Sequence, residues 1–98
     1  MTKKCDTTCT ANTLKAISHP LRLKILCCLN DGELSVNEII EKSGSSQSNI
    51  SQHLTFLRNK KILTARRDAT RIYYRIAKLE LLEIIKMMQE LYCQHEAA

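Results

Sequence analysis

Residues 43–74 read SGSSQSNISQHLTFLRNKKILTARRDATRIYY, and this stretch predicts the fold of the chain. A turn through Gly44 leads into a predicted helix from about Gln47 to Lys60. Apolar residues recur on one face of this helix, and small uncharged polar residues recur on the other. The two faces consist of Ile50, Leu54 and Leu57, and of Ser48, Ser51, Gln52 and Thr55.

A shorter helix precedes this one. Ser35 stands three residues before Glu38, which is the capping-box pattern for a helix start, and Ser43-Gly44 ends the helix. Two short helices joined by a turn that contains glycine have the outline of a helix-turn-helix. A generic helical hairpin has the same outline, so the residues that follow decide between the two.

Those residues predict a β-hairpin. Ile62–Arg67 and Arg71–Ile76 have the composition of strands, and Asp68-Ala69-Thr70 forms the turn between them. A hairpin directly after the second helix is the wing of a winged helix, and arginines at its tip can reach a narrow minor groove. The alternative is an exposed hairpin that its charge keeps soluble. We predict a mainly helical, winged helix-turn-helix fold.

The N-terminal part of the chain predicts a further helix. Residues 1–8 are polar and expected to be flexible, ahead of one domain over residues 9–98, because 98 residues support a single modest core. The first helix is predicted to begin between Cys9 and Thr13, with Leu14 and Ile17 facing inward.

Two more helices are predicted. His19-Pro20 favours a new helix start, which gives a helix over Pro20–Asn30. The final helix runs from Leu79 to about Gln94. Its apolar residues cover more than one stripe, so it needs a second surface, and a partner's matching helix in a C2 dimer supplies one. These residues are Leu81, Leu82, Ile84, Ile85, Met88, Leu91 and Tyr92.

The charge distribution favours a polyanionic partner. The net charge is +5, and eight of the fifteen basic residues lie between Arg58 and Lys78, with Asp68 as the one acid among them. After Lys78 the chain becomes acidic and unsuited to phosphates.

Other classes of protein are disfavoured. The sequence has no apolar run of membrane-spanning length and no secretion signal, which predicts a cytoplasmic protein. No paired carboxylates, nucleophile-base arrangement or phosphate-cradling glycine loop is present, so we expect neither an enzyme nor a cofactor.

Three separated segments resemble the ArsR/SmtB family of winged-helix repressors. They read SHPLRLKIL at residues 18–26, SQSNISQHL at 46–54 and RIYY at 71–74. The resemblance implies four helices, a two-stranded hairpin and a final helix. It also implies a homodimer joined through the first and last helices, which binds an inverted repeat in double-stranded operator DNA until an inducer releases it.

On this resemblance the second helix of the helix-turn-helix reads base edges, where Gln pairs with adenine and Ser is permissive. The base-facing candidates are Ser46, Gln47, Ser48, Ser51 and Gln52. His53 is expected to pack or to touch a phosphate. Backbone and wing contacts are assigned to Lys60, Lys61, Arg66, Arg67 and Arg71.

The inducer is predicted from the cysteines. Ser35 and Asn37 stand where metal-sensing relatives carry cysteines. Cys27 and Cys93 instead resemble the thiol pair of the persulfide-responsive group that includes BigR, SqrR and YgaV, and of HlyU, and Ala69 in the wing resembles that group too. The resemblance implies that the two thiols couple under persulfide, reactive sulfur or oxidant, through a disulfide or a polysulfide.

Alternatives stay open at this point. Free cysteines also pack as small hydrophobes, and Cys28 is expected to do so. Cys5 and Cys9, with Cys93 as a further candidate ligand, suit a soft ion such as arsenite or cadmium, although two ligands are too few for a closed site. A third hypothesis is a protein-interaction adaptor that kept the fold but no longer binds an operator.

Overall fold

A computed structural model describes residues 6–93, which form five helices and a three-stranded antiparallel sheet of order β1-β3-β2. The elements are α1 (Thr7–Ile17), α2 (Pro20–Cys28), β1 (Leu34–Ser35), α3 (Val36–Ser43), α4 (Gln47–Asn59), β2 (Leu63–Asp68), β3 (Arg71–Ile76) and α5 (Glu80–Tyr92). The predicted winged helix-turn-helix is confirmed, with β2 and β3 as the wing. The sequence does not predict β1, because two residues are too few to show an alternating pattern.

The capping signals around α3 are confirmed. The Ser35 hydroxyl accepts the N–H of Glu38 at 3.3 Å, and the Glu38 carboxylate accepts the N–H of Ser35 at 2.9 Å. Gly44 ends the helix in the left-handed conformation, with φ of 72°, and its N–H donates to the carbonyl of Ile40 at 2.9 Å. These local bonds set the length of α3 and the direction of the chain into α4.

The start of α1 differs from the expected one. The carboxylate of Asp6 accepts the N–H of Cys9 at 2.9 Å, so the helix begins at Thr7 rather than between Cys9 and Thr13. Thr7 and Thr8, which the sequence assigns to a flexible segment, are helical here. The rest of that prediction, over residues 1–5, lies outside the described residues.

The wing has a two-residue loop. The strands pair without interruption from Leu63 opposite Ile76 to Asp68 opposite Arg71, so the loop is Ala69 and Thr70. Ala69 has φ of 57°, in the left-handed region that two-residue hairpin loops require. A residue with a Cβ is strained there by about 1–2 kcal/mol.

The core lies between α2, α3, α4 and one face of the sheet. Its fully buried large side chains are Ile25, Leu26, Leu29, Ile39, Ile50, Leu54, Leu57 and Leu63. The predicted inward stripe of α4 is therefore correct. Ile17 is buried as predicted, but Leu14 is 45% exposed because only the last turn of α1 packs on the core.

The fifth helix is partly uncovered. Leu81, Leu82 and Ile85 pack on the core, while the remaining large apolar side chains of α5 face solvent. The radius of gyration is 14.7 Å, which exceeds the roughly 13 Å of a compact chain of this size. Within residues 6–93, no helix is long and apolar enough to cross a membrane.

Candidate functional site

The outer face of α4 presents small polar side chains to solvent. Ser46 caps the helix, because its hydroxyl accepts the N–H of Asn49 at 3.3 Å, and it also lies 3.4 Å from the hydroxyl of Ser48. The five residues predicted to read bases are all exposed and share this face: Ser46, Gln47, Ser48, Ser51 and Gln52. Their donors and acceptors are of the kind that read base edges in a major groove.

Arg22 fastens α4 to the rest of the domain. Its Nε donates to Nδ1 of His53 at 3.1 Å, and its Nη1 donates to the carbonyl of Ala16 at 3.1 Å. The guanidinium carbon lies 3.7 Å from the ring centroid of Phe56, and the ring of His19 lies 4.6 Å from that of His53. One side chain thus joins the end of α1, the start of α2 and the middle of α4.

His53 is consequently held by packing. Partial burial lowers its pKa, and the neighbouring His19 and Arg22 lower it further. Because Nδ1 accepts a hydrogen bond, the ring proton of the neutral form is assigned to Nε2. The ring is half-buried, so His53 helps to hold α4 in place and is not one of the exposed polar residues on its outer face.

The wing arginines fall into two groups. Nε of Arg66 donates to the Glu33 carboxylate at 2.9 and 3.0 Å, and its Nη2 pairs with the same group, which lowers the pKa of Glu33. The Arg66 guanidinium also lies 4.7 Å from the Tyr73 ring centroid. Arg67 and Arg71 are exposed near the tip, and neither is in an ion pair among the described residues.

Two lysines follow α4. Lys60 and Lys61 are exposed, and Lys61 adopts the left-handed φ of 63° as the chain turns toward the wing. Together with Lys78 they line an open groove of about 720 Å³, whose lining also includes Asp6 and Cys9 at the start of the chain's first helix. Three exposed lysines therefore lie between the end of α4 and the base of the wing.

The two predicted sensing thiols lie outside the polar face of α4. Cys27 is exposed in the last turn of α2, and Cys93 is exposed directly after α5. Partial burial raises the pKa of Cys27, and the adjacent Cys28 raises it further. Cys28 is half-buried, as its predicted packing role requires, and Cys9 is exposed.

Comparison with known proteins identifies the family. The family profile described as "Bacterial regulatory protein, arsR family" matches residues 19–64. The transcriptional activator HlyU of Vibrio cholerae is 41% identical over 81 residues, which are 83% of this chain and 75% of HlyU. This chain belongs to the ArsR family. Among ArsR-family proteins, the biofilm growth-associated repressor of Xylella fastidiosa is 36% identical over 86 residues, which are 88% of this chain and 75% of the repressor.

Solved structures of such regulators have the same fold. The structure of HlyU from Vibrio cholerae matches with a TM-score of 0.80 and 36% identity, covering 94% of this chain and all (100%) of that one. The repressor BigR from Xylella fastidiosa matches with a TM-score of 0.80 and 35% identity, covering 88% of each chain. This ArsR-family protein is thus a DNA-binding transcription regulator, and its family is not one of enzymes.

The sequence did not reveal two residues that shape this site. Arg22 lies in a segment that resembles the family, yet its partner His53 is 31 residues away. Glu33 carries no sequence signal, since Arg66 is 33 residues away. Arg66 was predicted to contact DNA, but its guanidinium is engaged by Glu33 in the protein alone.

The structure describes only one of the two cysteines in the metal-binding alternative. Between residues 6 and 93, no three His, Cys, Asp or Glu side chains are grouped closely enough to hold a metal ion. Cys5 of the predicted Cys5 and Cys9 pair lies outside the described residues, so that pair stays a prediction.

Proposed function

We propose that this ArsR-family protein is a dimeric, cytoplasmic repressor that leaves its operator when Cys27 and Cys93 react with persulfide, reactive sulfur or an oxidant. The observation that carries the proposal is the exposure of both thiols, Cys27 in the last turn of α2 and Cys93 directly after α5, outside the helix-turn-helix and the wing. The names of two relatives, a transcriptional activator and a repressor, agree on regulation and differ in its sign. Repression is the simpler mechanism, because a bound dimer blocks a promoter without recruiting anything.

A homodimer is supported by the exposed face of α5. Four apolar side chains recur there at helical spacing, and each is about half exposed or more: Ile84, Met87, Met88 and Leu91. A stripe of this kind needs a second surface to cover it, and C2 symmetry would pair it with its own copy. Leu14 on α1 is also exposed, which supports a contribution from the first helix.

Operator binding is supported by the chemistry of the exposed surface. The polar row on α4 suits base edges, whereas Lys60, Lys61, Arg67 and Arg71 suit phosphates. Two α4 helices of a symmetric dimer would read half-sites about 34 Å apart, or a multiple of that distance. A small rotation between protomers would therefore change affinity strongly.

The proposed sensing reaction is a two-step exchange. The thiolate of Cys93 attacks the outer sulfur of a low-molecular-weight persulfide, which forms a protein persulfide and releases the small thiolate. The thiolate of Cys27 then attacks this persulfide, so that a disulfide forms and hydrosulfide leaves. Two thiol hydrogens are lost, and the sulfane sulfur is reduced. Where both cysteines carry a persulfide, the same exchange retains one sulfur as a trisulfide.

We assign Cys27 to the second step because partial burial and the adjacent Cys28 raise its pKa. A smaller fraction of this thiol is ionised at neutral pH, and the thiolate is the nucleophile, so Cys27 acts second. We expect the rate of bridge formation to increase as pH rises toward the pKa of Cys27.

The proposal is tested on the reduced protein with DNA from its own promoter region. Glutathione persulfide, hydrogen peroxide, arsenite and cadmium are each added, and fluorescence anisotropy measures the dissociation constant while mass spectrometry measures the thiol products. We expect persulfide to weaken binding at least about fivefold. Cys27→Ser and Cys93→Ser should abolish the effect, and Cys28→Ser, the adjacent control, should retain it.

Three results would overturn parts of the proposal. Unchanged DNA affinity with unchanged mass removes persulfide sensing. Release by arsenite or cadmium that is lost in Cys9→Ser establishes the metal-sensing alternative instead. If the protein does not bind promoter DNA at low salt, operator binding is excluded and the hypothesis of a protein-interaction adaptor remains. A non-reducing gel shows whether the bridge lies within one chain or between two.

A further inference from the structure

A short turn joins the end of α2 to a residue that contacts the wing. The turn after this helix begins at Cys27, whose carbonyl accepts the N–H of Asn30 at 3.3 Å. Leu29, in the same turn, donates its N–H to the carbonyl of Ile25 at 3.2 Å, which bonds the turn to α2. Six residues after Cys27 the chain reaches Glu33, whose carboxylate holds Arg66 of β2. The proposed sensing thiol is thus a short, folded segment away from a side-chain contact with the wing.

The contact between Glu33 and Arg66 is directional. Nε and Nη2 of Arg66 both face the carboxylate, a two-point geometry that fixes orientation as well as distance. The guanidinium also lies over Tyr73, which pairs with Arg66 across the hairpin. Nη1 lies 3.9 Å from the Asp68 carboxylate, next to the loop of the wing. A shift of Glu33 therefore acts on both strands of the wing.

We propose that Glu33 and Arg66 are positioning residues that couple the redox state of Cys27 to the placement of the wing. This inference rests on the proposed function. A bridge at Cys27 displaces the end of α2, the anchored turn carries Glu33 with it, and the ion pair moves the wing. Arg67 and Arg71, on the same two strands, then lose their alignment with the DNA backbone. Arg66 acts through the wing rather than on a phosphate of its own.

The test compares how strongly persulfide weakens DNA binding in matched variants. Glu33→Gln removes the ion pair. Glu41→Gln is the control, because Glu41 is exposed on α3, loses the same charge and is in no ion pair among the described residues. Arg66→Lys keeps the positive charge but loses the two-point geometry. For each protein, the dissociation constant is measured before and after glutathione persulfide, and thermal unfolding verifies the fold.

We expect the persulfide effect to shrink by roughly two- to fivefold in Glu33→Gln and in Arg66→Lys, the scale of a mostly exposed ion pair. Glu41→Gln should keep the full effect. The Nε–H resonance of Arg66 should shift on persulfide treatment of the wild-type protein and stay in place in Cys27→Ser. The thiol bridge should form equally in all variants with both cysteines, as mass spectrometry will show.

Two outcomes distinguish a failure of this coupling from a failure of the proposed sensing function. If the wild-type protein responds to persulfide and Glu33→Gln responds to the same degree, the coupling is wrong and the sensing function stands. If the wild-type protein does not respond at all, the sensing function fails and the coupling fails with it. A loss of response in Glu41→Gln equal to that in Glu33→Gln would reduce the effect to net charge and overturn the coupling.

Discussion

The helices α4 and α5 are both 13 residues long, yet their surfaces differ. α4 buries its three large inward residues completely and presents uncharged polar groups to solvent. α5 buries Ile85 alone and leaves a continuous apolar face exposed. Contacts within the chain bury the inner face of α4, whereas they leave the outer face of α5 uncovered. A change in α4 should therefore act on folding or DNA binding, and a change on the outer face of α5 on association.

The largest effect is expected from Leu54→Ala in α4. The change leaves a cavity in a fully packed core, which costs about 2–5 kcal/mol of unfolding free energy. Leu91→Ala is the matched change on α5, where the side chain is 64% exposed. Urea unfolding at several protein concentrations separates the two, because only the Leu91→Ala loss should depend on concentration. Equal and concentration-independent losses would contradict the contrast between the helices.

The next largest effect is expected from Met88→Glu on α5. A charge within the apolar face should weaken dimerisation by at least about 1.5 kcal/mol per chain, the scale of one buried apolar side chain. Sedimentation velocity measures the shift toward monomer. Lys86→Glu on the same helix changes charge outside that face and should leave the dimer intact. A dimer that tolerates Met88→Glu places its interface elsewhere.

A smaller and more selective effect is expected from the exposed face of α4. Gln52→Ala should reduce the free energy of binding to the operator by about 1–3 kcal/mol, because a bidentate contact to adenine is lost. Its binding to random DNA should change little. Arg71→Ala in the wing should weaken binding to both DNAs alike. It should also reduce the slope of the logarithm of affinity against the logarithm of salt concentration by about 0.9. Binding curves over a salt series distinguish them. Parallel losses on both DNAs for Gln52→Ala would show that the α4 face does not read bases.

The smallest effect concerns the attachment of α4 through His53. Its folded-state pKa is lowered from the ordinary value of 6.5, so the unfolded state binds more protons at pH values just below 6.5. Stability should fall as pH decreases through that value, because partial burial disfavours the charged ring and the neighbouring His19 and Arg22 repel it. His53→Gln should flatten this dependence in urea titrations at pH 5.5 to 7.5. An identical pH profile in the variant would place the titrating group elsewhere.

Local signals in the sequence predicted most of the fold. The capping box at Ser35 and the glycine at residue 44 gave the ends of α3 to the residue, because both partners of each bond lie within four positions. The candidate base-reading residues were likewise predicted from one helix and lie on one exposed face. The prediction for Leu14 was wrong, because helical spacing shows which residues share a face and not whether that face is covered within the same chain.

The sequence by itself determined the helices, the wing, the polar face of α4 and the unpaired apolar face of α5, since each depends on spacing along one element. Only the tertiary structure decided that Arg22 supports His53 and that Arg66 is held by Glu33 while Arg67 and Arg71 are not. Side-chain pairs that lie 31 and 33 residues apart form when the core brings separate elements together. No pattern of spacing within a single helix or strand encodes that juxtaposition.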